Sequence, residues 1–134
     1  MRALIMLLVA LPSFAQAELL IVAGGNSDIN TLTEVEVRQL FSGHLKVIAG
    51  QRVQALDLPG HTPSREEFYR KLMGRTPEQM RAYWTRLIFT GQGKPPREVS
   101  NTQELITLVN SGEYIGYLPE EEVGTDLRIL YRLK

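Results

Sequence analysis

Four helix-start signals, each followed by an apolar stripe of helical period, are set among short apolar runs that stop at glycine or proline turns. That pattern restricts the fold more than any other feature of this chain. Thr33 with Glu36 three residues on forms a capping box ahead of Val37, Leu40 and Phe41, and Gly43 closes the helix. A second helix starts among Thr62, Pro63 and Ser64, carries Phe68, Tyr69 and Leu72, and ends at Gly74. Thr76-Pro77-Glu78-Gln79 opens a third, whose core stripe is read as Met80, Tyr83, Trp84, Leu87 and Ile88. Asn101 and Glu104 cap a fourth, with Leu105, Ile106, Leu108 and Val109 inside and Gly112 after it.

Residues 18–23, 51–58, 114–118 and 127–133 read as strands, 46–50 as a loop or turn, and 91–97 as a rigid polar loop held by two prolines. A parallel crossover needs a helix between its strands, so the order predicts an α/β domain with a largely parallel central sheet flanked by helices.

Residues 1–17 read as an export signal: Arg2 is the basic start, residues 3–11 the apolar segment, and Ala15-Gln16-Ala17 the cleavage site, with cleavage before Glu18. A membrane anchor would need about 18–20 apolar residues, and Pro12, Ser13 and Gln16 interrupt this run. Removal of 17 of the 134 residues leaves 117, enough for one domain and one core at residues 18–134, with no membrane insertion after cleavage. Fifteen basic residues face fifteen acidic ones, a balance that offers nucleic acid no footprint. There is no cysteine, hence no disulfide, thiol nucleophile or zinc-thiolate site, although export would permit disulfides.

His44 and His61 lie in different loops without metal-ligand spacing, and no nucleophile–base–orienter set stands out. No catalytic residue, metal or cofactor is expected; His61 and Asp57 are all that keeps an enzyme in view. The sharpest local feature is Asp57-Leu58-Pro59-Gly60-His61-Thr62-Pro63-Ser64-Arg65, a strand end passing through a turn into a helix start. Free amides and the positive helix end converge there, so an anion could bind with help from Thr62, Ser64 and Arg65. The simpler role is that Thr62 or Ser64 only caps the helix. Arg65, Arg70, Lys71, Arg75, Arg81 and Arg86 make the middle basic, Glu120-Glu121-Glu122 makes a later turn acidic, and Tyr114 and Tyr117 read as packing residues.

Leu32-Thr33, the run from Val35 to Gly43, the Gly60 to Phe68 helix start and Tyr114-Ile115-Gly116-Tyr117-Leu118 resemble the periplasmic phosphate-binding proteins of ABC transporters. The resemblance implies a single lobe of a type II periplasmic-binding-protein-like fold, outside the cytoplasm and not an enzyme, binding a small anion weakly or serving a membrane transporter or sensor. An adaptor with no small ligand is the alternative. It implies a ligand set of Asp57, Gly60, His61, Thr62, Ser64, Arg65 and Thr33. Two features depart from the family pattern: Asp57 stands where the family has arginine, and Pro63 removes an amide donor. On this reading Asp57 repels phosphate and Asp57→Arg improves binding.

Overall fold

In the computed structural model, which describes Ile5, Val9, Ala10 and residues 18–134, the first apolar run becomes β1 (Leu19–Gly24), every residue of it buried. Most of the expected leader lies outside the described residues. After β1 come α1 (Glu34–Phe41), β2 (Val47–Ile48), β3 (Gln51–Arg52), β4 (Gln54–Asp57), α2 (Pro63–Met73) and α3 (Pro77–Phe89). They are followed by β5 (Arg97–Glu98), α4 (Thr102–Ser111), β6 (Tyr114–Pro119), a 3-10 turn at Glu120–Glu122 and β7 (Leu127–Leu133).

The central sheet runs β5-β4-β6-β1-β7. Its parallel part is β5-β4-β6, and β1 lies antiparallel to both neighbours, pairing Leu20 with Leu118 and Ile21 with Tyr117 on one side and Leu19 with Leu133 on the other. The α/β class and the helix-flanked sheet are therefore as expected. Tyr117 turns to the face covered by α2, where its ring stacks on Phe68 at 3.7 Å, with Phe41 of α1 edge-on to Phe68 at 4.8 Å. The next residue back, Gly116, faces α4. A Cβ there would stand 2.9 Å from the Leu105 side chain, so glycine is what lets α4 lie this close to β6.

Helix boundaries follow the local chemistry. The Thr33–Glu36 and Thr76–Gln79 capping boxes are both formed, and the Asn101 side chain accepts from the Glu104 amide. The expected strand over 51–58 is divided at Val53, because β2 and β3 form their own hairpin over Ala49 (φ 51°) and Gly50 (φ 77°), where the expectation was only a loop or turn. β5 was not expected inside the proline loop and its continuation. Ile88 is a correction: it is 57% exposed, not core. At 3.6 residues per turn it sits about 80° round from Met80, on the rim of the stripe formed by Met80, Trp84 and Leu87. No helix among the described residues is long and apolar enough to cross a membrane.

Trp84 is buried on that stripe. Trp84→Ala should lower stability by about 3–5 kcal/mol in urea unfolding, and an unchanged midpoint would contradict its core placement.

Candidate functional site

β4 ends on Asp57, whose side chain is turned wholly into the protein at 1% exposure. A buried carboxylate needs partners, and it has three. Tyr69 of α2 donates to Oδ2 at 2.5 Å, Tyr117 of β6 donates to Oδ1, and Arg65 Nε lies 3.5 Å from Oδ2. The Tyr117 hydroxyl also accepts from the Leu58 amide at 3.3 Å. Burial pushes the Asp57 carboxyl above its ordinary value, with Arg65, Tyr117 and Tyr69 each pulling part of the way back. Burial also pushes both tyrosines well up, and the Asp57 charge adds to this, so they remain protonated donors.

Arg65 links this interior group to the surface. Its Nη1 donates to the Leu58 carbonyl at 3.1 Å and lies 3.4 Å from Glu98 Oε2, while Glu98 Oε1 accepts the Gly60 amide at 2.8 Å. A carboxylate of the chain itself thus sits on the two donors, amide and guanidinium, that the strand-to-helix junction offers an anion. Beside it, Met80, Trp84, Ile88, Pro95 and Pro96 line a groove of about 310 Å³, with Arg65, Arg81, Glu66 and Glu98 also on its walls.

The structure brings Asp57, Gly60 and Arg65 into one connected cluster. Thr62 holds the N-cap position of α2, yet its hydroxyl donates back to the Pro59 carbonyl at 2.7 Å and makes no side-chain cap bond, so the simpler capping role fails for Thr62. Ser64 makes no side-chain hydrogen bond among the described residues, and His61 is exposed. Thr33 is engaged elsewhere, in the α1 capping box with Glu36. His44 Nε2 lies 3.2 Å from the Tyr83 hydroxyl, apart from His61. Among the described residues no group of three or more acidic, histidine or cysteine side chains could hold a metal ion.

Asp57 needs a physical correction. The sequence set it against a bound anion, whereas burial aims it at Tyr69, Tyr117 and Arg65. An arginine at 57 would place a second cation beside Arg65 with the carboxylate gone, so Asp57→Arg is expected to unfold the junction rather than improve it. Sequence reasoning missed Glu98 altogether. It also read Tyr117 as packing alone; the ring does pack, and the hydroxyl in addition serves Asp57.

An ABC-type phosphate transport receptor from Vibrio cholerae superposes with a TM-score of 0.66 at 15% identity, over 85% of this chain and 45% of that one. A candidate phosphate ABC transporter substrate-binding protein from Clostridium perfringens, solved with bound phosphate, gives 0.61 at 13% identity over 85% and 44%. A possible phosphate binding protein from Planctomyces limnophilus gives 0.60 at 16% identity over 85% and 40%. No protein-family model matches the chain, and no curated protein does. The chain has the fold of one lobe of a phosphate-binding-protein-like molecule and spans less than half the length of each of these neighbours.

Folded Asp57 holds its proton more tightly than unfolded aspartate, so the wild type should lose stability as pH rises from the ordinary 3.8 through the raised folded value. Asp57→Asn does not titrate. In urea unfolding across that window the wild type should therefore decline relative to the variant; a relative gain with rising pH would mean that its partners hold the carboxylate ionised.

Proposed function

We propose that this chain is an exported, non-enzymatic accessory lobe of the phosphate-binding-protein type, serving transport or sensing, and that it binds small anions only weakly at the Gly60–Arg65 junction. The carrying observation is Glu98, whose carboxylate lies on the Gly60 amide and beside Arg65. An incoming anion has to displace a group of its own charge. Two like charges about 4 Å apart repel by roughly 4 kcal/mol at an effective dielectric near 20. Glu98 is 55% exposed, so water reduces that figure and phosphate affinity is lowered rather than abolished. Export rests on the leader pattern of residues 1–17.

The same closure supports a second reading, an adaptor that docks on a membrane sensor or transporter with no small ligand, since donors already satisfied within the chain need none. Titration calorimetry with inorganic phosphate at low salt tests the first reading. The wild type should bind more weakly than micromolar, and Glu98→Gln should tighten binding by roughly tenfold or more. Micromolar binding by the wild type would overturn the internal closure. No gain in Glu98→Gln would leave the adaptor as the better reading.

A further inference from the structure

Phe89, the last residue of α3, is 91% exposed, and Ile88 beside it is 57% exposed. Phe89 and Ile88 together leave two large apolar side chains bare at the end of one helix. Phe89 stands on one side of α3 with Ala82, Thr85, Arg81 and Arg86, forming a nearly flat depression. Arg81 and Arg86 are exposed and make no ion pair among the described residues, nor does Lys94 in the loop that leaves the helix. Glu78 lines the same depression one turn before Arg81, about 4.5 Å along the axis, and offsets part of its charge, whereas Arg86 lies about 12 Å from Glu78, beyond the reach of that charge at about 0.1 M salt. The C-terminal end of α3 is therefore an apolar knob with Arg86 one turn back, Arg81 about 12 Å back along the axis and Lys94 exposed in the loop that follows.

We infer that this end of α3 is a peripheral docking surface for an anionic phospholipid bilayer, with Phe89 and Ile88 entering the headgroup boundary and Arg81, Arg86 and Lys94 meeting lipid phosphates. Charge complementarity selects an anionic partner. The shape favours lipid over protein: a protruding side chain needs a matching cavity on a protein, whereas a fluid bilayer accepts it without one. Each cation near such a surface adds a modest attraction, so binding is weak, reversible and salt-sensitive. The inference is independent of anion binding at Gly60.

The test is cosedimentation of the full chain with vesicles of phosphatidylcholine containing about one third phosphatidylglycerol, against vesicles of phosphatidylcholine alone. Phe89→Ser and the Arg81→Gln/Arg86→Gln pair should each weaken binding to the anionic vesicles by roughly tenfold, and raised salt should do the same. All variants share residues 1–17, so differences among them report on α3. These side chains are exposed, and melting curves matching the wild type confirm that the variants fold. In Phe89→Trp, the added indole emission should shift to the blue on anionic vesicles. Equal binding to both vesicle types, binding unaffected by these substitutions, or no binding at all would overturn the inference; the last is the result expected if the face meets an acidic protein instead.

Discussion

The buried carboxylate of Asp57 ties the end of β4 to α2 and to β6 through one interior group. It lies at the end of β4 and accepts hydrogen bonds from the Tyr69 hydroxyl of α2 and the Tyr117 hydroxyl of β6. Because an unpaired charge in the interior costs several kcal/mol, each partner is required once the carboxylate is there. Tyr117 then fixes more than a hydrogen bond. Its ring stacks on Phe68, and its hydroxyl also receives the Leu58 amide, so the polar junction and the aromatic core share one residue.

Arg65 carries the same constraint outward. It is held between Asp57 inside and Glu98 outside, and burial works against its charge until the carboxylate of Asp57, with its neighbours, outweighs the cost and raises its pKa. An arginine so committed is positioned by the fold rather than by a ligand. Glu98 reaches it from a two-residue edge strand, and that strand exists because β5 pairs in parallel with the end of β4. The neighbours that share the fold are more than twice as long as the matched part, and the one from Clostridium perfringens holds phosphate. In this chain the strand-to-helix junction at Gly60 is satisfied by the chain's own side chains.

Helices were legible because their signals are local. A threonine and an acceptor three residues on settle both ends of a capping box within one turn, as at Thr33–Glu36 and Thr76–Gln79. The fold class was legible from the order of elements, and the family resemblance from the run around Phe41 and from Ile115-Gly116-Tyr117. Strand order was not, because β1 pairs with β6 and β7 across most of the chain length and nothing in its uniformly apolar residues encodes direction. The site was half legible. Gly60 and Arg65 follow from the junction, but Glu98 is 38 residues from Gly60 and looks in sequence like any exposed loop acid. Burial of Asp57 could not be read either, since its partners Tyr69 and Tyr117 lie 12 and 60 residues away and each sits in an apolar stripe.

If Asp57 is an internal clamp rather than a ligand group, its energetic coupling to Tyr117 must be large. A double-mutant cycle by urea unfolding near neutral pH, using Asp57→Asn, Tyr117→Phe and the double variant, measures it with the aromatic packing retained. Coupling of about 1 kcal/mol or more between the two positions is the expected result. Additive effects, with each substitution acting as though the other residue were absent, would contradict the clamp.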